Sequence, residues 1–256
     1  MTIRRLYDHL EKIYPANMRL DWDNDGVMVS KNLDADIKKI LLALDITNDV
    51  ISYAKQNGYN VIVTHHPFLF EPIRSLCPDE YNAKAAMELL ESNITVLSYH
   101  TRLDAAYEGV SRALCNLFEM EKVEEFGPPS EEYARVGYLK NAVGADKFSA
   151  FLKEKLHCEH IRTSFLPEKI SKVAVLGGEG KEYIPFAKKT NCDVFVTGNV
   201  GYSAMIEAKR AGFSIFEVGH DYSETPVLSI LKKNIEKETF GIAADIYPVI
   251  GNLLTI

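Results

Sequence analysis

The chain repeats itself. Lys39-Ile40-Leu41-Leu42 is answered by Lys172-Val173-Ala174-Val175, and the same spacing of 133 residues carries Ala54-Lys55 onto Ala187-Lys188. It also carries Val61, Val63 and Thr64 onto Val194, Val196 and Thr197, with no gap across the span. Further along the spacing falls to 120, and there His100 and Asp104 face His220 and Glu224, each pair just after an apolar run. The change of spacing fits an extra loop in the first half, from Phe68 to Glu80, rich in proline and bulky apolar residues. Two registers in one order are not a coincidence of composition. A chain built this way must fold as two similar halves.

Each half alternates short apolar runs with helical stretches. Val27-Met28-Val29, Ile40–Leu44, Val61–Val63 and Ile94–Tyr99 read as strands, with helices over residues 48–56 and 81–91 between or after them. Thr47 offers an N-cap and Gly58 a C-terminal stop for the first of these helices. A further helix is expected from beyond Asp104 to about Phe118. The second half opens with a strand at Ala134–Leu139 and a helix at Asp146–Leu156. Strands alternating with helices imply βαβ units. The predicted fold is therefore α/β, with two pseudo-duplicated halves whose largely parallel sheets face a shared metal cleft. The halves are expected at residues 1–125 and 126–256. The acid-rich stretch Glu119–Ser130, ending in Gly127-Pro128-Pro129, reads as the linker.

The histidines are placed by this pattern. Val61-Ile62-Val63-Thr64 runs straight into His65-His66, and Pro67, which has no N–H for a ladder, ends the run. The pair thus sits at the carboxyl end of a strand, where open α/β sheets bind ligands. Neighbours on an extended segment point to opposite sides, so adjacent imidazoles suit two metals better than one. A solitary histidine there is more often a hydrogen-bonded core residue; the duplication is what singles these out. It selects His65, His66, His100 and Asp104 from one half, and His220 and Glu224 from the other. Imidazoles and carboxylates together suit two divalent ions such as zinc, iron or manganese, roughly 3.5–4 Å apart. Asp104 and Glu224 are the bridging candidates, because a carboxylate has two oxygens to share. His9 and the His157-Cys158-Glu159-His160 stretch fall outside the pattern, the latter reading as the end of a surface helix.

Charge narrows the partners. Two divalent ions bring about +4 and two carboxylates remove half of it, leaving a cationic site in a chain of net charge −7. Such a site lowers the pKa of a bound water to about 7 and favours a small anionic or phosphorylated substrate. The acidic balance of the chain argues against a nucleic-acid or membrane surface. Four separated cysteines with no C-x-x-C spacing read as reduced thiols, and no targeting or membrane-spanning run is evident, so a cytoplasmic protein is expected. Leu176-Gly177-Gly178-Glu179-Gly180 lacks either phosphate-loop pattern and reads as a tight turn. Gly198-Asn199 stands where the first half has His65-His66, so that position of the second half has lost its ligands.

Taken in order, Thr64-His65-His66-Pro67, His100-Thr101-Arg102-Leu103-Asp104, Thr197-Gly198-Asn199 and Gly219-His220-x-x-x-Glu224 resemble the Nif-three-like family. Its members are commonly labelled GTP cyclohydrolase 1 type 2 homologues, and the likeness runs from Trp22-Asp23-Asn24 nearly to the C-terminus. The resemblance implies a duplicated α/β fold, a dinuclear metal centre and a homo-oligomer, trimeric or hexameric. By position it makes His65, His66, Asp104, His220 and Glu224 the ligands, and His100 a catalytic neighbour that orients Asp104 or transfers a proton. The family usually has Asn at Arg102, and an acidic residue at Asn199 followed by Lys and His near Gly201 and Ser203. Arg102 is accordingly expected to supply a cation to the substrate. The resemblance implies a metal-dependent hydrolase of the GTP cyclohydrolase type. The alternatives are a metal-delivery protein and a regulatory interaction protein without turnover.

Overall fold

The computed structural model describes residues 1–239 and 241–248 of the 256-residue chain. In chain order the first elements are α1 (Ile3–Ile13), β1 (Gly26–Val29), β2 (Ile40–Ala43), α2 (Asn48–Asn57), β3 (Val61–Thr64), α3 (Tyr81–Glu91), β4 (Thr95–Ser98) and α4 (Thr101–Ala105). Then come α5 (Val110–Leu117), β5 (Glu121–Phe126), β6 (Ala134–Val143), α6 (Ala145–Leu156), β7 (Arg162–Thr163), β8 (Ile170–Glu179) and α7 (Ile184–Lys189). The last are β9 (Val194–Asn199), α8 (Tyr202–Arg210), β10 (Ile215–Glu217), α9 (His220–Glu224), α10 (Val227–Glu236) and β11 (Ala244–Ile246).

The order of the elements follows the two spacings. At the first spacing β2, α2 and β3 answer to β8, α7 and β9; at the second, α3, β4 and α4 answer to α8, β10 and α9. The expected caps are present: Thr47 Oγ1 accepts from the Val50 N–H, and Gly58 closes α2 in the left-handed region at φ 76°.

The chain forms two compact units. The first comprises Met1–Ala106 and Leu228–Pro248, and its sheet has the order β1-β4-β3-β2-β11. β4, β3, β2 and β11 run parallel, and β1 pairs antiparallel at one edge. Every residue of β2, β3 and β4 is buried, as a parallel sheet covered on both faces requires. Leu41, Ile62 and Val96 point to one face and pack with Val50, Ile51, Ala54, Ala86 and Leu89 of α2 and α3.

The second unit contains Tyr107–Val227, and its sheet runs β5-β6-β8-β9-β10-β7. Only the β8, β9 and β10 pairings are parallel; β5, β6 and β7 join antiparallel. The largely parallel expectation therefore holds for the first sheet, while the second is mixed. The short connection from β5 to β6 explains part of this, since a parallel pair needs a long crossover.

The division near residue 125 is not where the compact units part. The expected linker is strand β5, an edge strand whose acids face solvent and whose Phe126 is buried. Charged residues are a common defence of sheet edges, which is why the stretch reads as a linker in sequence. The expected single helix beyond Asp104 is two, α4 and α5, separated by extended backbone around Ala106 and Gly109, and the unit boundary falls in that break. Leu114 and Cys115 of α5 pack with Phe148, Val173 and Val194, which commits α5 to the second unit. Conversely α10 and β11 return to the first unit, where Asn234 Nδ2 donates to the Tyr14 hydroxyl and β11 pairs with β2. At the second spacing these two helix–strand pairs are counterparts, so each repeat gives its last helix and strand to the other unit. No helix among the described residues is long and apolar enough to cross a membrane.

Candidate metal centre

In the first unit the carboxyl ends of β3 and β4 deliver His65, His66 and His100, and the end of β2 delivers Asp45. His65, His66 and His100 can each offer one ring nitrogen, and those nitrogens lie within 4.8 Å of one another. The rings of His65 and His66 are 5.0 Å apart by centroid, and that of His100 is 5.3 Å from His65 and 5.8 Å from His66. Asp104, on the one-turn helix α4, places Oδ1 3.8 Å from His65 Nε2.

The outward nitrogens are all engaged. His65 Nδ1 lies 3.0 Å from the Tyr99 carbonyl oxygen, His66 Nδ1 2.8 Å from Asp45 Oδ1, and His100 Nδ1 2.9 Å from Asp23 Oδ1. A carbonyl and an ionised carboxylate only accept, so each Nδ1 carries the proton and donates. A neutral imidazole in that tautomer keeps its lone pair on Nε2, which is how proteins set a histidine to bind a metal.

Asp23 is buried, and burial alone would raise its carboxyl. The bond from His100 and those from the Thr101 hydroxyl and N–H outweigh that and bring it down to about 2. A carboxylate held ionised in this way fixes the His100 ring firmly.

The second unit has a smaller cluster. His220 opens α9, and its Nε2 lies 3.2 Å from Oε1 of the buried Glu224 one turn on. His220 Nδ1 lies 2.9 Å from Asn199 Oδ1, so this ring too presents Nε2. Asn199 occupies the place of His66 in the repeat. With no imidazole to offer, it instead orients the histidine that remains.

The glycine-rich stretch is not a tight turn. Gly177, Gly178 and Glu179 lie within β8 and form the floor under α9. A Cβ on Gly178 would stand 2.4 Å from Glu224 Oε1, and one on Gly177 2.2 Å from Val110 Cγ1. Ser223 Oγ accepts from the Gly178 N–H and donates to the His220 carbonyl, locking helix to strand. Gly178 thus leaves room for the buried Glu224, and Gly177 for Val110 of α5.

Arg102 is held inside the first unit. The residue is 1% exposed, and its Nε and Nη1 are bonded inside the first unit. Nε donates to Asp25 Oδ2 at 2.9 Å, and Nη1 donates to Glu11 Oε1 at 2.6 Å and to the Tyr14 carbonyl at 2.8 Å. It also lies over the Tyr99 ring, 4.7 Å from the centroid. Sequence reasoning assigns this cation to the substrate; the structure surrounds it instead with acids of its own unit, because Asp23-x-Asp25 is buried and holds α4. His157–His160 behaves as expected. His157 ends α6 in the left-handed region at φ 57°, and His160 is exposed.

A duplicated α/β chain with histidine and carboxylate clusters at its strand ends belongs among the proteins equipped to coordinate metal ions. The particular lineage follows from comparison. The chain belongs to the Duf34/NIF3 (NGG1p interacting factor 3) family, whose model matches residues 1–250. It is 30% identical over 242 residues to a GTP cyclohydrolase 1 type 2 homolog of Clostridium perfringens, an alignment covering 93% of this chain and 92% of that one. Among solved structures, reduced HcgD from Methanocaldococcus jannaschii matches with a TM-score of 0.81 and 26% identity, over 97% of this chain and 98% of that one. Staphylococcus aureus protein SA1388 shares the fold with a TM-score of 0.89 at 21% identity, over 100% of this chain and 99% of that one.

Proposed function

We propose that this protein is a metal-dependent hydrolase of the GTP cyclohydrolase 1 type 2 homologue kind, acting on a nucleotide or another small phosphorylated compound. His65, His66, Asp104, His220 and Glu224 are its ligands for two divalent ions, zinc, iron or manganese. One observation carries the reading: His65, His66 and His220 each have Nδ1 tied to an acceptor, which leaves Nε2 as the coordinating atom. The donor set mixes borderline imidazole nitrogens with hard carboxylate oxygens, which fits those ions.

When bound, such ions supply Lewis acidity and activate water near neutral pH. The chain's own residues do the rest. Tyr99, Asp45 and Asn199 hold the ligand rings, Gly178 leaves Glu224 its space, and His100, clamped by Asp23, exchanges a proton with the reacting group through Nε2. A homo-oligomer, trimeric or hexameric, goes with the family resemblance and is checked by light scattering.

The test is metal analysis of the purified chain followed by a screen of GTP and phosphoesters with each ion. About two ions per chain are expected, with fewer in both His65→Ala and Glu224→Ala and turnover lost in each. His100→Asn should keep the metal and lose roughly 10²–10⁴-fold in kcat. Unchanged metal content in both ligand variants overturns the ligand set; a metal-loaded protein without turnover overturns the hydrolase.

A further inference from the structure

The first unit holds an aromatic pair exposed outside its core. Trp22 is 61% exposed and Phe70 44% exposed, yet neither is loose. Their rings meet edge-on at 6.1 Å and 64°, and Trp22 meets the His100 ring at 6.1 Å and 75°. Both neighbours stand steeply to the indole, so neither stacks parallel on it. Through His100 the indole is one ring removed from His65 and His66.

The turn carrying Trp22 is built to hold it there. Asp23 takes the His100 ring and the Thr101 N–H and hydroxyl, while Asn24 Nδ2 donates to the Leu69 carbonyl and so ties down the segment bearing Phe70. Three consecutive residues thus divide the work: one orients His100, one fixes the opposite loop, and one offers an uncovered aromatic surface between them. A large apolar side chain held at the surface beside a polar cluster is informative, unlike a scattered exposed leucine.

We infer that Trp22 and Phe70 form a stacking platform for a flat heteroaromatic ring, and that the substrate of the adjacent His65–His66–His100 cluster carries such a ring. This deepens the hydrolase reading and rests on it for the word substrate. Stacking needs a π-face and little hydrogen bonding, so the platform selects ring over aliphatic compound without naming one base.

Trp22 is the chain's one tryptophan, so the protein's intrinsic emission reports this surface directly. Full-length, zinc-loaded protein is titrated with guanosine, adenosine, a pterin and a pyridine carboxylate, with ribose 5-phosphate as the ring-free control. At least one ring compound should quench the emission saturably, while ribose 5-phosphate leaves it unchanged. By calorimetry Trp22→Ala should bind that compound roughly 10–100-fold more weakly, and Trp22→Phe should recover most of the loss. Metal content should be unaffected in both.

The inference is overturned if no ring compound changes the emission, or if ribose 5-phosphate acts as strongly. It is equally overturned if only dilution moves the emission, which marks a contact between copies of the chain. The guanosine titration repeated on chelator-stripped protein separates the two readings. Ring binding without turnover of anything removes the hydrolase and keeps the platform; turnover of aliphatic phosphoesters with a silent Trp22 does the reverse.

Discussion

Replacing Arg102 by alanine separates a structural role from a substrate role, and the cost can be worked from its contacts. The side chain makes charge-assisted bonds to Asp25 and Glu11 and a third bond to the Tyr14 carbonyl, all around a guanidinium almost fully excluded from solvent. Asp25 has a fully buried side chain and keeps only the His100 N–H and Arg19, whose Nη1 is 3.6 Å away. Removing one partner of a buried pair strands the other, at about 3–5 kcal/mol. For a chain of this size each kcal/mol moves the melting point by roughly 2–4 °C, so Arg102→Ala should melt roughly 6–20 °C lower. Arg102→Lys keeps a charge but loses the planar fork, and one ammonium cannot replace three directed bonds; an intermediate loss is expected. The assay is thermal unfolding followed by circular dichroism, with phosphate binding measured on the same samples. A variant that melts within about 2 °C of the parent while losing phosphate affinity would refute the reasoning and restore the substrate role.

Other consequences are separable. Fragment 1–125 lacks α10 and β11, which leaves the edge of β2 open, so alone it should aggregate and fail to unfold cooperatively; co-expression with 126–256 should restore solubility. Gly178→Ala puts a methyl group against Glu224 Oε1 at a φ of 71°, so it should lower both metal content, read by elemental analysis, and stability, by about 1–3 kcal/mol. Burial pushes the Cys115 thiol up to about 12 and also raises Cys158 and Cys192. Few thiolates form on these three at pH 8, and mass spectrometry after iodoacetamide should find Cys77, on the Phe68–Glu80 loop, labelled first.

What the sequence made legible was whatever is local or repeated. Strands β2, β3 and β4 are fully buried runs and announce themselves; Thr47 and Gly58 mark their helix by cap chemistry. Asp23 and Asp25 were not legible, because an acid in a turn looks solvated until its partners, His100, Thr101 and Arg102, arrive from more than 70 residues away. The exchange of α5 and α10 between units was hidden for a related reason. Each helix shows an ordinary apolar face, and nothing in its own residues says which sheet will cover it. Strand β5 was misread because an edge strand and an acidic linker share a composition.

The differences between the repeats are as informative as the matches. At the first spacing, Asp45 and His66 correspond to Gly178 and Asn199. In the first half Asp45 exists for His66, whose Nδ1 it accepts. In the second half there is no histidine at position 199, so a carboxylate at 178 would have nothing to orient, and its side chain would collide with Glu224. The position has gone to glycine, and a glutamate, one methylene longer than its counterpart Asp104, lies in the space. Asn199 meanwhile takes for His220 the part that Asp23 takes for His100. These three differences leave one property constant: in both halves, every histidine of the clusters has its Nδ1 committed. A histidine whose Nδ1 is held presents Nε2 in a fixed direction, and that shared geometry is the physical reason to treat the second unit's cluster as equipped for the same chemistry as the first.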